Sequence, residues 1–184
     1  MTELKKLSLE TIGIDDENLE LILKLKIDTL IYLNNILDKI NEAVEKAIGI
    51  NEHLASDIKL LKSIDGIGDK TAKDFMLELV SIDNFASRKE LTAYIGTDPG
   101  VKQSGVSLNV NGRITKRGNA YLRRTIYLMA LGVIRYDTNF KNYYNKKISE
   151  GKRYKQAVIA VANKLIRLIF SILKSKTIYE PTRY

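Results

Sequence analysis

From Asp15 to Ile48 the chain contains no proline or glycine, and its apolar residues return at heptad intervals. Leu23, Leu30, Leu37 and Val44 form one row; Leu33, Ile40 and Ala47 form the other, which Lys26 interrupts. The spacing predicts one long helix, ended by Gly49. Ile22, Ile27, Ile36 and Ile48 widen the stripe beyond a strict two-stranded seam. Two arrangements therefore stay open: the helix pairs with a second copy of itself, or it packs on its own domain.

A second helix is predicted from about His53 to Ser63, with Leu54, Ile58 and Leu61 on one side. "SIDGIGDKTAKDFMLEL" follows, placing Gly66 and Gly68 between two helical patterns. That arrangement suits a helix-hairpin-helix whose uncovered amides meet a DNA phosphate. It equally suits a plain glycine turn between helices, and Asp65 and Asp69 oppose phosphate binding. Ser87 and Glu90 stand at capping-box spacing, so a short helix should run to about Tyr94 and stop at Gly96. Residues 97–112, with Pro99, Gly100, Gly105 and "NVNG", read as a loop or short hairpin.

Helical spacing resumes from about Arg117 to Arg135 through Leu122, Ile126, Met129, Ala130 and Val133, and from Tyr154 to Lys174 through Val158, Val161, Leu165, Leu168 and Ile172. Between them lies an aromatic and basic segment, "RYDTNFKNYYNKKISEGKRYK". The expected fold is mainly α: a coiled-coil-like helix within residues 1–50, then a compact helical domain over 51–184 carrying the helix-hairpin-helix and a glycine-rich serine loop.

Composition narrows the chemistry. With 184 residues and 45% hydrophobic content the chain can bury a core. It has no cysteine, which excludes disulfides, thiolate zinc sites and thiol nucleophiles. His53 is the sole imidazole, so neither a histidine metal site nor a Ser-His-Asp triad is expected. "MTELKKLSLETIG" lacks the apolar core of a signal peptide, and "AVIAVANKLIRLIFSIL" is interrupted by Asn163, Lys164 and Arg167. These features lead to the expectation of a soluble cytoplasmic protein with no membrane partner.

The net charge of +8 conceals an asymmetry. Residues 1–98 carry 12 Lys/Arg against 19 Asp/Glu, residues 99–184 carry 18 against 3, and the halves are therefore −7 and +15. So basic a half suits a polyanion such as nucleic acid, although a solvated lysine-rich surface has the same pattern.

The basic half opens with "PGVKQSGVSLNVNGRITKRGNAYLRR", residues 99–124, which has no acidic side chain. Ser104 precedes a glycine, and Arg113, Lys116, Arg117, Arg123 and Arg124 follow it. Asn119 is placed to cap the next helix, and cations around a helix start suit a phosphate. A serine is a poor nucleophile unless a base activates it or the charge that develops on attack is stabilised. The positive field here would stabilise a pentavalent phosphoryl transition state. A loop serine bonded to its own backbone accounts for the same residue.

"LTAYIGTDPGVKQSG", "GRITKRGNAYLRR" and "YYNKKISEGKRYKQAVIAVANKLIRLIFSILK", preceded by "IDGIG", resemble the carboxy-terminal transposase domain of DEDD-type insertion-sequence transposases, the family of the bridge-RNA-guided recombinases and Piv-type invertases. The resemblance covers roughly residues 60–180. It implies that Ser104 is the nucleophile that becomes linked to a DNA phosphate. Ser107 is the local competitor, but it lacks the following glycine and lies farther from Pro99. Lys116, Arg117, Gly118 and Asn119 match the family's DNA-contacting segment. The candidate DNA contacts are then Gly66, Gly68, Lys70, Lys102, Arg113, Lys116, Arg117, Asn119, Arg123 and Arg124. Thr97 stands where the family commonly has leucine, and Thr115 where it commonly has serine.

Full-length members carry an amino-terminal RuvC-like domain whose acidic tetrad binds magnesium, and residues 1–50 are too short for one. The resemblance thus implies a portion without that domain, holding no cofactor of its own, that binds DNA but does not cut alone. The implied partners are DNA, a guide RNA and further copies of the chain joined through residues 15–48, at the nucleoid of a prokaryotic cell. A noncatalytic helix-hairpin-helix binding or architectural protein is the alternative.

Overall fold

A computed structural model describes residues 17–102 and 110–181, with side chains described over 17–98 and 114–181. The chain divides into two units, Met1–Ile50 and Asn51–Tyr184. In the first, α1 (Glu17–Ile50) is one helix of 34 residues, about 50 Å long at about 1.5 Å per residue. Leu23, Leu30, Leu33, Leu37 and Ile40 are about half exposed along it. The helix runs through Gly49 rather than ending there, since Gly49 has no left-handed φ. The break falls at Asn51, whose Oδ1 accepts from Leu54 N and caps the next helix.

The second unit is mainly α. It contains α2 (Glu52–Lys62), α3 (Asp69–Leu79), a single 3-10 turn (Ile82–Asn84), α4 (Arg88–Ile95), a ribbon of β1 (Pro99–Lys102) and β2 (Val110–Ile114), then α5 (Ala120–Tyr136), α6 (Thr138–Ser149) and α7 (Tyr154–Ser175). Helix α7 is the central element. Ala157, Val158, Val161, Ala162, Leu165, Ile166, Leu168, Ile169, Ile172 and Leu173 are buried along it, and it packs against α2, α4, α5 and α6. Each large apolar side chain so buried contributes roughly 1.5–3 kcal/mol. By length and composition α7 is the one described helix able to cross a membrane, yet its apolar side is the core of this unit.

Local signals set most boundaries. Ser87 Oγ accepts from Glu90 N while Glu90 Oε2 accepts from Ala86 N, starting α4; Gly96, at φ +77°, ends it. Helix α6 lies in the segment that periodicity left unassigned, because Phe140 is its only buried residue. Its start is chemical instead: Asp137 Oδ1 accepts from Phe140 N. The same carboxylate's Oδ2 accepts from the buried Tyr179 hydroxyl at 2.7 Å. Tyr179 N donates to Ser63 Oγ, and Lys176 pairs with Asp57, so the segment after α7 is strapped across α2 and the α5–α6 junction.

Between α2 and α3 the chain turns on Gly66, at φ +97°. A Cβ on Gly66 would lie 2.5 Å from the carbonyl of Gly132, and one on Gly132 would overlap the Gly66 carbonyl. This turn therefore packs backbone to backbone on α5, which only glycines permit.

Candidate nucleic-acid interface

The turn that joins the ribbon to α5 is wedged against the end of α4. Gly118 lies so close to Tyr94 that a Cβ would overlap the Tyr94 carbonyl. Asn119 N donates to that carbonyl at 2.7 Å, Lys116 N to Gly96 O at 3.3 Å, and Thr115 N to Asp98 O at 3.0 Å. The Thr115 hydroxyl adds a bond to Asp98 Oδ1 at 2.6 Å. Lys116 sits at φ +55°, a left-handed conformation that costs a lysine energy and is held by these neighbours.

Two of the candidate DNA contacts are engaged inside the fold. Asn119 Oδ1 accepts from Tyr121 N and Leu122 N, capping α5, while its Nδ2 donates to Glu78 Oε1 on α3 at 2.5 Å. The Arg123 guanidinium donates to Ile95 O at 3.1 Å and Gly118 O at 3.3 Å, covering an orphan carbonyl at the end of α4. Both side chains hold the turn rather than face solvent as free donors. Nothing in the local pattern foretold the bonds to Glu78 and to Ile95 O, whose partners lie 41 and 28 residues away.

Lys116, Arg117 and Arg124 are exposed at the same helix start and have no ion-pair partner among the described residues. No acidic residue occupies the first turn of α5, so the helix dipole and these cations add in favour of an anion. The ribbon rises from this place, with Pro99 paired to Ile114 at its foot and Lys102 paired to Val110. Lys102 and Arg113 belong to its strands; only their backbone is described. Ser104 and Ser107 lie outside the described residues.

The glycine turn presents a different surface. Gly68 precedes α3, where an added Cβ would meet only Thr71 Oγ1 at 4.0 Å, and Lys70 is exposed in the helix's first turn. Asp69, which opposes phosphate there, is held between Lys62 (2.6 Å) and Lys73 (2.5 Å), which lower its pKa through their hydrogen bonds. Gly66 instead faces α5. A groove of about 550 Å³, lined by Arg88, Lys89, Thr92, Ala93, Asp98 and Arg167, opens at the foot of the ribbon. Its three cations are exposed, and no motif singled them out.

Among the described residues no group of three or more His, Cys, Asp or Glu side chains is arranged to hold a metal ion.

The chain is 29% identical to the insertion element IS110 uncharacterized 43.6 kDa protein of Streptomyces coelicolor, over 66% of this chain and 30% of that protein. It is 26% identical to the pilin gene-inverting protein of Moraxella bovis, over 80% of this chain and 46% of that protein. It is 30% identical to the transposase for insertion sequence element IS1111A of Coxiella burnetii, over 67% and 34% respectively. The alignments thus span less than half the length of each of these relatives. Residues 58–145, which run from α2 through the ribbon and the cationic start of α5 into α6, match the sequence profile of the Transposase IS116/IS110/IS902 family. Over these residues the helical unit of this chain is thus similar to the IS116/IS110/IS902 transposase family.

Proposed function

We propose that this chain is the DNA-binding, serine-bearing part of a site-specific transposase or recombinase. The observation that carries the reading is the cationic start of α5, locked to the end of α4 at the foot of the ribbon whose strands flank residue 104. Lys116, Arg117 and Arg124 bind DNA phosphates, with Lys102 and Arg113 on the ribbon. Gly68 and Lys70 add a backbone contact at the start of α3, while Asn119, Arg123 and Gly66 position these groups. The similar pilin gene-inverting protein is named for inversion, and the IS1111A transposase for transposition.

In this reading the Ser104 hydroxyl attacks a DNA phosphorus. A bond from serine oxygen to phosphorus forms as the bond from phosphorus to one deoxyribose oxygen breaks; the serine proton is released and the departing oxygen takes one up. A deoxyribose hydroxyl of the joining strand then attacks the same phosphorus and frees the serine. The basic groups offset the charge on the equatorial oxygens. Catalysis requires a metal-binding RuvC-like domain, and α1 joins copies of the chain so that such a domain acts in trans.

The test compares covalent protein–DNA adducts formed by Ser104→Ala and Ser107→Ala proteins on a labelled insertion-sequence end, with a RuvC-like domain of the family supplied. Loss of adducts in Ser104→Ala alone is the expected result. Undiminished adducts in that variant end the serine reading, and an unaltered protein that binds DNA yet never forms an adduct favours a noncatalytic binder.

A further inference from the structure

The junction of α6 and α7 has a chemistry that the α5 site does not use. Residues 138–155 contain Lys141, Lys146, Lys147, Lys152, Arg153 and Lys155 against Glu150 alone. Glu150 pairs with Lys147 at 2.7 Å; the other five cations have no ion-pair partner within 4.0 Å among the described residues. Arg153 stands at the N-cap position of α7, its N donating to Gln156 Oε1, and Lys155 lies in the first turn, where no acidic residue is present. Cations there oppose the helix dipole, so the fold itself gains nothing from them.

Aromatic rings accompany this charge. Tyr143 has two ammonium groups over its ring, Lys147 at 5.3 Å and Lys164 at 5.0 Å. Tyr154, the first residue of α7, differs: its ring meets Tyr144 edge-on, with centroids 6.4 Å apart and planes at 77°, yet the residue is 54% exposed. Tyr127 of α5 is a neighbour, its hydroxyl pushed above the ordinary tyrosine pKa by burial and then by the Tyr154 hydroxyl. Tyr154 is thus an exposed ring braced by its edge contact with Tyr144, among unpaired cations.

We propose that the α6–α7 junction holds an unpaired stretch of a nucleic-acid strand, one base stacked on Tyr154 and the flanking phosphates on Lys152, Arg153 and Lys155. A braced aromatic face beside free cations is the combination that binds single strands, and a base within a duplex already has both faces covered. This inference rests on the reading that the protein works on nucleic acid, and it adds a second site with a different ligand.

The chain has no tryptophan, so Tyr154→Trp supplies a single fluorophore at the site. The full chain carrying it is titrated with oligo(dT), oligo(U) and a duplex of equal length. Quenching by a single strand, absent with the duplex, is expected; the tighter of oligo(dT) and oligo(U) identifies the sugar, and equal quenching means that the base and phosphate alone are read. Tyr154→Ala should weaken single-strand affinity roughly tenfold or more with duplex affinity unchanged, and Tyr154→Phe should retain it. Melting curves confirm that the variants are folded. Unchanged single-strand affinity in Tyr154→Ala, or an equal loss on duplex, overturns the inference. An unaltered chain that binds duplex alone also overturns it while sparing the DNA reading; one that binds neither removes both.

Discussion

The carbonyl of Gly66 lies against the α carbon of Gly132, joining the α2–α3 turn to the C-terminal half of α5 without an intervening side chain. Alanine ordinarily stabilises a helix interior by about 1 kcal/mol over glycine. Here the added methyl overlaps the Gly66 carbonyl, so Gly132→Ala should instead destabilise by at least 1–3 kcal/mol, as overpacking does. A denaturant midpoint at or above the unaltered protein's would show that the turn moves freely off α5.

Asn119 caps α5 and tethers it to Glu78. Asn119→Ala should lower stability by about 1–2 kcal/mol and weaken DNA binding with an unchanged salt slope, because it removes no charge. A lowered slope with full stability would make Asn119 a phosphate contact rather than a positioning residue. Thermal melting and affinity across a salt series separate the two.

Lys116, Arg117 and Arg124 are exposed and unpaired among the described residues. Each phosphate contact contributes about 0.9 to the slope of log affinity against log salt. The triple glutamine variant should therefore lose about 3 from that slope while melting at the same temperature. An unaltered slope would place duplex binding elsewhere on the molecule.

Leu30 and Leu37 are 61% and 55% exposed on α1, and the proposed oligomer buries them. Leu30→Lys with Leu37→Lys should convert the assembly to monomer in sedimentation equilibrium at micromolar concentration. An unaltered chain that is already monomeric under those conditions would remove the self-association reading.

Burial, and then the bond to Asp137, push the Tyr179 hydroxyl up to about 12. An unfolded tyrosine titrates near about 10, so the native state holds this proton more tightly. The stabilisation is complete below about pH 10 and is lost as pH rises through about 12. Tyr179→Phe should be less stable by about 1–3 kcal/mol at neutral pH, since it leaves a buried carboxylate oxygen one donor short. Its stability should also fall less steeply than that of the unaltered protein between about pH 10 and 12. Parallel pH curves for the two proteins would contradict the strap.

Order within three or four residues was legible from the chain. The stripe of α7, the Ser87–Glu90 start and Gly96 stop of α4, the Asn119 cap and the unbroken helix up to Ile48 each depend on neighbours along the backbone, and such patterns survive without knowledge of the fold. Helix α6 escaped because one buried phenylalanine makes no period. The charge split of −7 and +15 was equally plain, but not which cations remain available. Only tertiary structure directs Lys62 to Asp69, Lys176 to Asp57 and Arg123 to Ile95 O while leaving Lys116, Arg117 and Arg124 exposed. Likewise the Gly66–Gly132 contact joins residues 66 positions apart. An ion pair or a backbone contact depends on distance in space, and for groups so far apart in the chain that distance exists only once the helices have packed.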